Sequence, residues 1–196
     1  MAAGRFSQAI SEGDGISVVV EVHDAESARA AEGEGAEALV VRADVQGVRE
    51  ATELPILWRA AGPLAEAARV GADACLVVVD ELQEDGDRLE RLQAEALSLG
   101  LDCVVEVRNE EELELALERL DPEIFLLSGG DDDNDESLLA RALELLPDVP
   151  AGKLAVADVP VSGREQVDEL ERAGVDAVIV GAGSVAELVG HAPPQV

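Results

Sequence analysis

One phrase occurs three times in this chain. Gly35-Ala36-Glu37-Ala38-Leu39-Val40-Val41, Gly71-Ala72-Asp73-Ala74-Cys75-Leu76-Val77-Val78 and Gly174-Val175-Asp176-Ala177-Val178-Ile179-Val180 each follow a helical stretch. Each reads glycine, a small apolar residue, an acid, alanine and an apolar run. An internal repeat of this kind marks one supersecondary unit used again. The glycine suits a helix C-terminus, where a left-handed residue ends the helix without a Cβ clash. The apolar run suits a strand buried on both faces, as in a parallel sheet covered by helices.

The alternation continues between the copies. Ile16 to Val22 is an apolar strand, and Asp24 caps a helix over Ala25 to Glu34. Pro55 to Arg59 is a strand and Leu64 to Val70 a short helix. A longer amphipathic helix runs from about Asp87 to Leu99, with Leu89, Leu92, Ala96 and Leu99 on one face. Asp102 to Val107 is a strand, and Asn109 caps a helix whose Glu110 to Glu112 suit its positive end. Ile124 to Leu127, Lys153 to Ala157 and the run to Val180 complete the strands. Helices fall over Ser137 to Leu146 and over Arg164 to Ala173, the latter started by Ser162. Gly183-Ser184 opens a short last helix ending near Gly190.

The count is eight strands, each followed by a helix or a short helical segment. That is the pattern of an α/β protein built as a single (β/α)8 TIM barrel. The chain is expected to be one domain over 1–196, with the barrel at about 16–190, a short helix at 5–12 before it and a tail at 191–196. A doubly wound open sheet is the rival, but no Gly-rich dinucleotide fingerprint follows the first strand. The barrel must be compact, since 196 residues is slightly short for the fold.

Charge narrows the function classes. The formal net charge of −29 opposes nucleic acid and anionic membrane surfaces, which need a basic footprint. It reports either a high-salt or GC-rich source or a functional acidic face. Aromatic residues make up only 2%, which leaves no stacking platform for bases or sugars. No apolar run is long enough to span a bilayer, and the first residues lack the apolar core of a signal peptide, so the expected location is the cytoplasm. Cys75 and Cys103 have no metal-ligand spacing and lie inside strands, which points to buried free thiols. No cofactor is expected.

Candidate chemistry gathers at strand ends, where barrels of this kind keep their active sites. Glu106 sits among three valines near the end of the fifth strand, and strand parity turns it inward with Val104 while Cys103 faces the helices. Burial there would suit it to general acid/base work; the alternative is a solvated residue or a partner for Arg108. His23 is either a proton carrier near neutral pH or a helix-entry residue bonded to Asp24. The run Asp131 to Glu136 is either a hard-cation site or a solvated stretch at a helix N-terminus.

Taken in order, several stretches carry a resemblance. They are Leu54-Pro55-Ile56-Leu57, Ala67 to Ala74, Leu99-Gly100-Leu101-Asp102-Cys103-Val104-Val105-Glu106-Val107, Glu110-Glu111-Glu112-Leu113 and Arg164-Glu165 leading to Ala173 to Gly181. With their spacing they resemble the indole-3-glycerol-phosphate synthase family, a phosphate-binding barrel of tryptophan biosynthesis, from about Phe6 to Val189.

The resemblance implies a decarboxylating, ring-closing lyase acting on a small anionic phosphorylated substrate. It also implies a site of strand-end glutamates, lysines, an asparagine, a glutamate–serine pair and a phosphate cradle. Glu21 and Glu106 match the two strand-end glutamates. His23 stands where the resemblance implies a lysine, Arg59 where it implies the lysine general acid, and Ser128 where it implies the asparagine. Asp158-Val159-Pro160 replaces the glutamate–serine–glycine, while Gly181, Gly183 and Ser184 could still present N–H groups to a phosphate. Arg59 can bind an anion but donates a proton poorly. Three readings follow: a diverged lyase using Glu106, Glu21, Arg59, His23 and Asp158; a non-catalytic interaction or regulatory barrel; and a cation-dependent enzyme using Glu106, Asp158 and the acidic run.

Overall fold

The computed structural model describes residues 4–12, 15–79, 87–129, 135–183 and 188. Eight parallel strands close into a barrel in strict chain order: β1 (Ser17–Glu21), β2 (Ala38–Val41), β3 (Ile56–Trp58), β4 (Ala74–Val78), β5 (Asp102–Val107), β6 (Ile124–Leu127), β7 (Leu154–Ala157) and β8 (Ala177–Gly181). β8 returns to pair with β1 over Ser17–Ala177 to Glu21–Gly181, so the sheet has no open edge. The helices are α1 (Arg5–Ser11), α2 (Ala25–Gly33), α3 (Val48–Ala51), α4 (Leu64–Arg69), α5 (Arg88–Ser98), α6 (Glu110–Arg119), α7 (Asp135–Leu145) and α8 (Arg164–Ala173). This is the (β/α)8 barrel that the alternation predicts. Among the described residues no helix is long and apolar enough to cross a membrane.

The period-two alternation of each strand sorts its side chains into two cores. Val19, Ala38, Val40, Leu57, Ala74, Val104, Ile124, Leu126, Val156, Ala177 and Ile179 fill the barrel interior. Val18, Val20, Leu39, Cys75, Val105, Val107, Phe125 and Val178 pack outward against the helices. Val104 is inward, and Cys103 packs with the outer core, as parity requires.

α1 closes the floor. Phe6 and Ile10 are 0% and 2% exposed and belong to the interior core. The carboxylate of Asp102, at the start of β5, accepts from the Phe6 and Ser7 backbone N–H groups at 3.1 and 2.9 Å, satisfying the helix's open donors.

The repeated phrase acquires a mechanical meaning here. Gly35, Gly71 and Gly174 all take positive φ, at 98°, 75° and 102°, as helix-ending residues. The acid two residues later clips the preceding odd-numbered strand. Glu37 accepts from Val18 N–H at 3.0 Å, Asp73 from Ile56 N–H at 3.0 Å and Asp176 from Ala155 N–H at 2.7 Å. Each acid also donates its own backbone N–H to the carbonyl of that same strand residue. The two-way exchange fixes the register of neighbouring strands at the floor of the barrel. Asp73 additionally meets Arg5 and Arg49, at 3.0 and 3.1 Å.

Two expectations need correction. Ser162 does not cap α8: the N-cap is Gly163, and the Ser162 N–H instead donates to Gln166 Oε1 at 2.7 Å. Leu99 does not lie on the buried face of α5. It follows the helix as its C-cap and is 36% exposed, because the chain reverses through Gly100 at φ +74°. The short helix α3 lacked any sequence signal strong enough to announce it. Most of the expected helix from Gly183 to Gly190, the tail 191–196 and most of the acidic run, 131–134, lie outside the described residues.

Candidate active site at the barrel mouth

Seven positions line the mouth by one rule: each lies two residues beyond an inward core residue. Glu21 follows Val19, Arg42 follows Val40, Arg59 follows Leu57 and Glu106 follows Val104. Ser128 follows Leu126, Asp158 follows Val156 and Gly181 follows Ile179. All seven line one cavity of about 960 Å³, together with Arg88, Arg108 and the apolar Leu64, Leu76, Leu92 and Leu138. It lies at the C-terminal ends of the strands, where (β/α)8 enzymes hold ligands.

Arg59 is the centre of the site. Its Nη2 lies 3.3 Å from Glu106 Oε1, and its Nη1 bonds Asp158 Oδ2. The arginine and Glu106 side chains are only 11% and 8% exposed. Ser128 Oγ donates to the same Glu106 Oε1 at 2.7 Å. Glu106 is therefore no solvated strand end but a buried carboxylate held by two donors. β3, β5, β6 and β7 contribute one side chain each to this cluster.

A second pair stands beside it. Arg42 Nε donates to Glu21 Oε1 at 2.8 Å. The hydrogen bond to Glu21 holds the Arg42 guanidinium above the ordinary arginine pKa, and the charges of Glu21, Asp158 and Glu106 add to it against the cost of burial. Arg42 escaped the sequence reading. Its signal was available in the parity of Ala38, Val40 and Arg42, which carries one step past the end of β2.

Other expected site residues fall elsewhere. His23 is exposed at the entry to α2, its backbone N–H donating to Ser27 Oγ at 3.3 Å, and it does not line the cavity. Gly183 is exposed and also off the lining, whereas Gly181 is on it with open space where a Cβ would stand. Val159 and Pro160 line the wall beside Asp158. Ser184 lies outside the described residues. Among the described residues no group of three or more His, Cys, Asp or Glu side chains could hold a metal ion. The space between Glu106 and Asp158 is taken by the Arg59 guanidinium itself.

Fold and mouth together define a (β/α)8 barrel with a charged cavity at its strand ends. The family model described as indole-3-glycerol phosphate synthase matches residues 44–187. The indole-3-glycerol phosphate synthase of Geobacillus thermodenitrificans (strain NG80-2) is 32% identical over 168 residues, covering 79% of this chain and 64% of the relative. That of Alkaliphilus metalliredigens (strain QYMF) is 30% identical over 152 residues, covering 75% of this chain and 57% of the relative. The chain belongs to the indole-3-glycerol phosphate synthase family, and spans somewhat under two thirds of the length of these relatives.

Among solved structures, an N-acetylmannosamine-6-phosphate 2-epimerase from Clostridium perfringens superposes with TM-score 0.68 at 15% identity, over 87% of this chain and 88% of that one. A thiamine phosphate pyrophosphorylase from Pyrococcus furiosus gives 0.61 at 17% identity, over 88% and 89%. At these identities the likeness is one of fold.

Proposed function

We propose that this barrel binds a small phosphorylated anion in its mouth and does not run the lysine-dependent ring closure of its family. The observation that supports this reading is the clamp on Arg59. A lysine ammonium can be tuned to give up a proton near neutral pH, whereas a guanidinium stays charged. Here both terminal nitrogens of the guanidinium are also engaged, one by Glu106 and one by Asp158. The strand-three cation therefore orients two carboxylates and does not serve as a general acid.

Charge distribution supports anion binding. Among the described residues four arginines and three carboxylates line the cavity, a local positive excess in a chain of formal net charge −29. A cleft with walls of low dielectric focuses such an excess on an incoming anion. The name of the family, indole-3-glycerol phosphate synthase, agrees with a phosphorylated ligand. Gly181, at the end of β8, leaves open backbone beside the site.

A second reading, an active lyase, is favoured by Glu21 and Glu106, which occupy the two strand-end glutamate positions that the resemblance implies. A turnover assay separates the two. The protein is incubated with the phosphorylated anilino-sugar substrate of the family, and carbon dioxide release and indole fluorescence are followed. The proposed reading expects no ring-closed product above the uncatalysed background. Sustained multiple turnover would replace it with the lyase reading.

A further inference from the structure

Arg42 and Arg59 both meet carboxylates in the mouth, and they differ in what they have left to offer a ligand. Arg59 is 11% exposed and both of its terminal nitrogens are engaged, one by Asp158 and one by Glu106. Arg42 is 50% exposed and makes one contact, from Nε to Glu21 at 2.8 Å. Among the described residues its two terminal nitrogens carry no hydrogen bond or ion pair, and the side chain lines the cavity. Four N–H bonds of a permanently charged planar fork are thus available at the mouth, and the face they present is open.

We propose that Arg42 is the side chain that receives an oxyanion group of the ligand, with Arg59 as the internal brace of the site. The inference rests on the anion-binding reading above and adds which residue makes the contact. A guanidinium fork pairs with two oxygens of one phosphate or carboxylate through parallel bonds. The terminal nitrogens provide that fork without disturbing the Nε bond to Glu21. Glu21, 20% exposed beside the fork, competes with the incoming anion, so it sets the affinity from the opposite direction. Asp158 and Glu106 also face Arg42 electrostatically, but both contact Arg59 directly.

The test is titration calorimetry of the whole chain with inorganic phosphate, and separately with benzoate, at low salt. Unfolding temperatures are recorded for every variant, to set loss of binding apart from loss of fold. Saturable binding by the native protein is expected, weakened about ten- to a hundredfold in Arg42→Leu, as for loss of a charged hydrogen-bonded contact. Arg42→Lys keeps the charge but loses the fork, and is expected to weaken binding severalfold. Glu21→Gln removes the competitor and is expected to tighten it severalfold. Whichever anion responds to Arg42→Leu identifies the group that the fork holds.

Arg42→Leu binding both anions like the native protein would overturn the inference while leaving the anion-binding reading intact. Native affinity in Arg42→Lys would overturn the fork, and weaker binding in Glu21→Gln would overturn the competition. No binding of either anion by the native protein would overturn both the inference and the reading beneath it.

Discussion

Ser128 Oγ donates to Glu106 Oε1 at 2.7 Å, and the two residues are 4% and 6% exposed. The bond crosses from the end of β6 to the end of β5 and fixes the carboxylate in the mouth before any ligand arrives. Preorganisation of this kind lets a site bind without paying to order its own side chains. Replacing Ser128 by alanine is expected to cost about 1 to 2 kcal/mol, as for a buried acceptor deprived of one donor, read from urea unfolding.

Arg59→Met should be far more damaging. It leaves Glu106 and Asp158 facing each other without their shared cation in a poorly solvated place. Breaking a buried charge cluster by removing one partner costs roughly 3 to 5 kcal/mol. Adding Glu106→Gln and Asp158→Asn to Arg59→Met should recover most of that stability. A triple variant no more stable than the single one would show that the loss comes from packing and not from charge.

Two aspartates tilt the pH dependence of stability in opposite directions. The Ser27 backbone N–H, at 2.7 Å, and then the Ser27 hydroxyl hold the Asp24 carboxyl below its usual range. Its stabilising contribution is therefore present above the unfolded-state pKa of aspartate and lost as pH falls through the lower folded value. Burial pushes Asp176 up, against the bond from Ala155 N–H. A raised folded value favours the native state below the unfolded pKa, and that contribution disappears as pH rises through the folded pKa. Urea unfolding between about pH 3 and about pH 7 should show the deficit of Asp24→Ala shrinking on acidification. Asp176→Asn should show its largest deficit at the acid end.

Neither thiol should be reactive in the folded protein. Burial pushes Cys75 up to about 12 and raises Cys103 as well. Iodoacetamide at about pH 8 needs thiolate, so both cysteines should stay unlabelled until the barrel unfolds. Mass spectrometry after brief exposure, with and without urea, reads this directly.

The floor of the barrel offers a fifth check. A Cβ at Gly4 would stand 1.8 Å from Asp102 Oδ1, the carboxylate that holds the start of α1. Gly4→Ala is expected to displace that group and cost about 1 to 3 kcal/mol. Phe6→Ala should empty the interior plug and cost about 3 to 5 kcal/mol. Equal, negligible losses in both would mean that α1 is not part of the core.

The barrel was legible because its signals are local. Helix-ending glycines, the Asp24 and Asn109 caps and the apolar runs each declare an element within a few residues, and β5 and β6 fall on the expected bounds. Glu106, Arg59 and Asp158 were legible as strand-end candidates, but their mutual clamp was not, since residues 59 and 158 meet only when the sheet closes. Arg42 was hidden for a simpler reason: it follows an apolar run as an apparently ordinary surface cation. The repeated acids were visible as a pattern, but their work as strand clips depends on a neighbour that is distant in sequence. His23 shows the converse. Its neighbourhood suggested chemistry, and the turn into α2 carries it off the cavity lining.

The most direct measurement is thermal unfolding of the protein with increasing indole-3-glycerol phosphate, at low and high salt. A ligand that binds only the native state raises the melting temperature by mass action. A saturable rise at low salt that diminishes at high salt is expected, as for an anion held by arginines. An unchanged melting temperature at both salt concentrations would contradict the claim that this mouth is a phosphorylated-anion site.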